Sequence, residues 1–148
     1  GQMFDAIYSH MVVEHIDDAA RFLDAQLAVL KPDGVMIHST VSKYYWSSLI
    51  NNLVPDGIKN ALIEKLGSGR TSIDVFPAHY LLNAEGDLRK LAQARNLHCK
   101  VTRSDQAPGY LRRSTILMLI YTAIHKPLQA LFPALRPTLI FKMSRQPL

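Results

Sequence analysis

Two kinds of apolar spacing alternate at the start of the chain. Met3 to Ser9 (Met-Phe-Asp-Ala-Ile-Tyr-Ser) is a short run rich in apolar and aromatic residues, the pattern of a strand buried on both faces. From Ala19 the apolar positions spread to Leu23, Leu27 and Leu30. That spacing is helical, and Asp17 and Asp18 stand just ahead of it, where negative charge favours the positive end of a helix dipole. Lys31-Pro32-Asp33-Gly34 predicts the stop, since proline cannot continue the hydrogen-bond ladder and Asp-Gly turns readily. Val35 to Thr40 then reads as a second buried strand. Strand, helix and strand in this order imply a parallel pair joined by a right-handed crossover.

Beyond Thr40 the periodicity loosens. Tyr44, Tyr45 and Trp46 form an aromatic cluster, and Ile58 to Leu66 predicts a short helix followed by Gly67-Ser68-Gly69, where glycine suits a C-cap. Asn83 is placed to cap the N-terminus of a helix running through Arg95, with Leu88, Leu91 and Ala92 on one face. Leu97, Cys99 and Val101 alternate with polar neighbours and predict a strand. A helical stretch from Leu111 to about Leu131, interrupted at Pro127, precedes a last strand at Thr138 to Met143. No internal repeat, low-complexity run or linker divides the chain, so one domain, or part of one, is expected.

Composition narrows the class. At 148 residues, 48% hydrophobic and 20% charged, the chain can build a core and does not resemble a disordered polypeptide. A single cysteine, Cys99, excludes an internal disulfide framework and a multi-cysteine zinc site, which makes a cytoplasmic location the expectation. The apolar segment Ile116 to Ile124 is far shorter than the roughly 20 residues of a spanning helix. The net charge of +5 conceals a division: residues 1–86 carry six Lys/Arg against ten Asp/Glu, and residues 87–148 carry eleven against two. A basic half attracts phosphates, nucleic acid or anionic lipid if its charges converge on one face; otherwise it is a solvated surface.

The string Phe4-Asp5-Ala6-Ile7-Tyr8-Ser9-His10-Met11-Val12-Val13-Glu14-His15-Ile16-Asp17-Asp18 resembles the fourth strand and following loop of class I S-adenosylmethionine-dependent methyltransferases. Leu30-Lys31-Pro32-Asp33-Gly34 is similar to that family's Leu-Lys-Pro-Gly-Gly turn into the fifth strand, with Asp33 replacing the first glycine. His79-Tyr80, with the helix and strand after them, is similar to the stretch after the family's fifth strand, and Pro137 to Met143 resembles its final antiparallel strand. The resemblance is good from Phe4 to Thr40, fair from His79 to Val101, and thin over Lys43 to Ala78 and Gly109 to Pro133. It implies an α/β fold: the C-terminal half of a Rossmann-like methyltransferase sheet, with parallel strands and a final antiparallel strand flanked by helices.

The family's glycine-rich turn after the first strand and its acidic residue ending the second, which hold the cofactor, have no counterpart here. Residues 1–148 are therefore expected to form a single partial methyltransferase domain lacking the N-terminal cofactor-binding half, which a preceding segment or a separate chain would supply. The expected parent activity is methyl transfer from S-adenosyl-L-methionine to a small-molecule acceptor, with this piece alone inactive or weak.

Methyl transfer is an in-line displacement that needs positioning and, for some acceptors, a base. By the resemblance, Ser9, His10 and Met11 sit at the carboxyl end of the fourth strand and border the cofactor. The bland alternative has Ser9 satisfying loop backbone and Met11 in the core. His15 and His79 are the candidate bases; for Glu14 and His15 the alternative is a loop that orders the following helix. His38 reads as a satisfied core or rim histidine, and Cys99 as a core residue. No metal site is expected, because His10, Glu14 and His15 lack the His-Glu-x-x-His spacing that aligns two ligands on a helix.

Leu111-Arg112-Arg113 followed by the apolar run to Ile124 suits either a helix roofing a hydrophobic pocket, which implies an aromatic or lipid-like acceptor, or a helix seated on a membrane surface. Nucleic acid lacks a supporting motif. Two other readings remain: a noncatalytic module that dimerises through the open edge of the first strand, and a basic peripheral membrane or nucleic-acid binder.

Overall fold

The computed structural model describes residues 3–53, 78–105 and 114–147; the helix expected at Ile58 to Leu66, with Gly67-Ser68-Gly69, lies outside them. Strand β1 (Phe4–His10), helix α1 (Ala19–Val29) and strand β2 (Leu30–Val41) follow one another as the periodicity predicts, and β1 and β2 pair in parallel. Asp18 starts α1 by accepting a hydrogen bond from the Arg21 N–H at 2.9 Å, which satisfies a helix donor that has no partner within the helix.

Lys31-Pro32-Asp33-Gly34 departs from expectation. It does not turn the chain between helix and strand, because β2 already begins at Leu30. Phe4 pairs with Leu30 and Ala6 with Val35, so the intervening residues form a bulge on β2. Such a bulge admits proline because its residues are released from the ladder.

Among the described residues the further α-helices and strands are α2 (Trp46–Leu53), α3 (Glu85–Gln93), β3 (His98–Ser104), α4 (Thr115–Ile120), α5 (Lys126–Leu131) and β4 (Thr138–Ser144). The sheet order is β1-β2-β4-β3, with β4 antiparallel to both of its neighbours. Register sets side chains in rows across the sheet: Ile7, Met36, Met143 and Cys99 form one, and Ser9, His38, Phe141 and Val101 the next. Helices α1 and α3 cover this face. Leu23, Leu88 and Ala92 are buried with Met36, Phe141 and Met143 in one core, and Arg95, just after α3, ion-pairs with Asp24 of α1 at 2.6 Å.

Three further expectations need correction. β1 is not buried on both faces: Phe4 and Tyr8 are 44% and 68% exposed, because among the described residues β1 pairs only with β2 and no helix covers its outer side. Asn83 does not cap α3; the cap residue is Ala84, with no side-chain bond, and Asn83 is drawn into the interior toward β2. Pro127 does not interrupt the helical stretch. A π turn, Tyr121–His125, joins α4 to α5 and opens the ladder where the proline ring would otherwise crowd the preceding turn.

Candidate functional site

Parallel strands end on the same side, so the carboxyl ends of β1 and β2 open together onto one rim, where open α/β sheets hold their ligands. Ser9 pairs with His38 and His10 with Ser39. Met11 continues that register by giving its N–H to the Ser39 carbonyl at 2.8 Å, while its backbone swings into the left-handed region (φ 52°). A non-glycine residue keeps that conformation only where its surroundings impose it. The turn leaves His10 and Met11 exposed at the strand's end.

The chain then folds into a 3-10 turn, Val13–His15, anchored by the fully buried Val13. Glu14 is 6% exposed and holds the rim together from both ends of the residue. Its carboxylate accepts a hydrogen bond from the Thr40 hydroxyl at 2.8 Å, and Thr40 Oγ1 in turn accepts one from Asn83 Nδ2, also at 2.8 Å. Asn83 Nδ2 reaches the Val41 carbonyl as well, at 2.7 Å. Meanwhile the Glu14 carbonyl accepts the backbone N–H groups of His79 and Tyr80, at 2.7 and 3.3 Å. Tyr80 is buried and, like Met11, left-handed (φ 54°).

Glu14 thus ties the loop after β1 to the end of β2 and to the segment before α3. The two exposed imidazoles His15 and His79 come to one rim with His10 and Met11, although 64 positions separate His15 from His79 in sequence. The sequence singles out His15 and His79 as candidates but gives no sign of the contacts that join their segments. Thr40 carried little signal of its own, being the third polar residue in the run His38-Ser39-Thr40 near the end of β2.

Ser9 and His38 lie one layer deeper. His38 is fully buried, with Nδ1 2.7 Å from the Ser9 hydroxyl and Nε2 2.9 Å from the Gln26 side-chain oxygen. A neutral ring satisfies both partners: Nε2–H donates to Gln26, and Nδ1 accepts from Ser9. The ring lies between Phe22 and Phe141, with centroids 5.6 and 5.1 Å away, and burial lowers its pKa from 6.5 to about 4. The Ser9 hydroxyl is therefore committed to the core, and what this position offers the rim is backbone. Cys99 is half-buried, and burial pushes its thiol up, away from thiolate chemistry. Among the described residues no cluster of three His, Cys, Asp or Glu side chains is placed to hold a metal ion.

A mixed sheet with two parallel strands, an antiparallel β4 inserted between β2 and β3, and loops gathered at the parallel strands' carboxyl ends defines an α/β domain of the Rossmann-like methyltransferase type. The family model for a methyltransferase domain matches residues 1–100, and the chain belongs to that family. No curated protein sequence matches it.

Among solved structures, the phosphoethanolamine N-methyltransferase 2 of Haemonchus contortus, in complex with phosphomonomethylethanolamine and S-adenosylhomocysteine, is 12% identical with a TM-score of 0.51. The alignment covers 97% of this chain and 34% of that one. The plantazolicin methyltransferase BpumL, in complex with a monoazolic desmethylPZN analog and SAH, is 14% identical over 96% of this chain and 51% of its own, with a TM-score of 0.47. A cyclopropane-fatty-acyl-phospholipid synthase-like protein from Lactobacillus casei gives 13%, 97%, 56% and 0.48 for the same four measures. The chain thus spans from about a third to just over half the length of these proteins. What the Haemonchus contortus protein shares with it is the fold.

Proposed function

We propose that these 148 residues form the acceptor-facing part of an S-adenosylmethionine-dependent methyltransferase that acts on a small molecule. The observation that carries the reading is the rim itself. Met11 is fixed in a left-handed turn at the carboxyl end of β1 with His10 exposed beside it, while Glu14 brings His15 and His79 to the same edge. The residues present suit one wall of a cofactor site: the backbone of Ser9, with His10 and Met11, would border the cofactor's amino-acid end. The glycine-rich turn that would face them is not in this sequence.

When bound, S-adenosylmethionine supplies an electrophilic methyl group on a sulfonium. The chain's own part is positioning and proton handling. Glu14, Thr40 and Asn83 fix the rim so that the acceptor is held in line, which is where most of the rate gain in such a displacement originates. His79 or His15 takes the proton from an acceptor hydroxyl or phenol.

Ultraviolet cross-linking of methyl-labelled S-adenosylmethionine to the full-length protein, followed by peptide mapping, tests the assignment. Label on the peptide containing Ser9, His10 and Met11 supports it. Label confined to peptides outside the rim defeats it.

A further inference from the structure

The helical stretch α4, π turn and α5 has two unlike sides. Toward the protein it presents Tyr121 and Gln129, both nearly fully buried, with Gln129 donating to the Tyr121 hydroxyl at 3.1 Å. His125 lies between them in sequence; its ring stacks on Tyr121 and approaches Tyr45 and Trp46, at the start of α2. Toward solvent it presents Ile116, Leu119, Ile120, Ile124 and Leu131, each between 51% and 75% exposed, and Phe132 at 58% continues the same surface. A contiguous apolar face of this kind on a helix is not ordinary surface.

Charge indicates what covers it. From residue 106 to the end, the chain holds six Lys/Arg and no Asp or Glu. Two of those cations, Arg112 and Arg113, directly precede the helical stretch, the exposed Lys126 lies within it and Arg136 just after it. A protein partner with an acidic rim would need a matching concave groove. A bilayer asks only for an apolar stripe flanked by cations, with acyl chains meeting the stripe and anionic headgroups meeting the lysine and arginines. The stretch is 17 residues long, and no helix among the described residues is long and apolar enough to cross a membrane. It would lie in the interface plane.

We propose that residues 114–136 dock the protein on an anionic phospholipid surface, with Leu119, Ile120 and Ile124 entering the bilayer interface and Lys126 and Arg136 engaging headgroups. This inference stands apart from the methyltransferase reading, and neither falls with the other.

Co-sedimentation of the full-length protein with vesicles of phosphatidylglycerol mixed into phosphatidylcholine, against phosphatidylcholine alone, tests it. Binding to the anionic vesicles is expected to exceed that to the neutral ones by at least about tenfold and to weaken as salt is raised. Leu119→Glu with Ile124→Glu should abolish it, and Lys126→Glu should weaken it, with the thermal transition of each variant unchanged because these side chains are exposed. Three results would overturn the proposal: no sedimentation with either vesicle, equal and salt-independent binding to both, or a dimer in light scattering that the double variant dissolves while vesicles are ignored.

Discussion

The Thr40 hydroxyl donates to the buried Glu14 carboxylate at 2.8 Å, and this one contact joins the end of β2 to the loop that follows β1. Because Thr40 Oγ1 also accepts from Asn83, removing the hydroxyl strands a buried carboxylate oxygen and one of the two Asn83 amide hydrogens, the other keeping the Val41 carbonyl. Thr40→Val, which keeps the shape, is expected to destabilise the fold by about 1–3 kcal/mol, read from urea unfolding midpoints. A loss under about 0.5 kcal/mol would mean that the network is not what holds the rim.

His38 gives a prediction in pH. Burial holds its folded pKa near 4, against 6.5 for the free side chain, so between those values the unfolded chain takes up a proton that the folded one refuses. Its contribution to stability is intact above pH 6.5, declines as pH falls toward 4, and is then fully lost. The size implied is about 3 kcal/mol. His38→Gln should lower stability at pH 7 but show a flatter profile from pH 6.5 to 4 than the unsubstituted protein. Parallel profiles would place the acid sensitivity elsewhere.

Gly34 closes the bulge on β2, and a Cβ built there would lie 2.8 Å from Leu30 Cδ1 and Cγ and 3.1 Å from the Asp5 carbonyl oxygen. Leu30 is itself fully buried and Asp5 contributes backbone, so neither yields easily. Gly34→Ala should cost about 1–3 kcal/mol, measured by thermal or urea unfolding. A neutral or stabilising alanine would show that the bulge can widen.

Arg145, just past β4, donates to the carbonyls of Leu27, Leu30 and Lys31 at 2.9 to 3.2 Å and so caps the end of α1 from 114 or more positions away. Lysine offers one point charge where this site uses a fork. Arg145→Lys is expected to cost about 1 kcal/mol, with faster amide exchange in the last turn of α1 as the specific readout. Unchanged exchange at Leu27 to Val29 would contradict the capping role.

Much of this was legible in the chain because local rules act locally. The parallel pair β1 and β2 follows from one apolar run, one helical repeat and a second run; the alternation of Leu97, Cys99 and Val101 places β3; and the Phe4 to Asp18 string carries the family. The errors have a common cause, which is that partners distant in sequence override local preference. Asn83 has the composition of a helix cap, but Thr40 and the Val41 carbonyl, 42 or more positions away, compete for its amide and win. Pro32-Asp33-Gly34 has the composition of a turn, yet pairing of Phe4 with Leu30 starts the strand ahead of it. No local signal marks Gln26 as the partner of His38, and none marks the left-handed backbone of Met11 or Tyr80.

We propose that the carboxyl end of β1 forms one wall of an S-adenosylmethionine site whose facing, glycine-rich wall is supplied from outside these 148 residues. Calorimetric titration of S-adenosylhomocysteine tests it directly, run on the full-length protein and on residues 1–148 with a cooperative thermal transition confirming that the shorter chain is folded. The predicted result is low-micromolar binding by the full-length protein and binding weaker by at least about 50-fold, a loss of about 2.3 kcal/mol, for the shorter chain. Low-micromolar binding by residues 1–148 alone, or none by the full-length protein, would contradict the account.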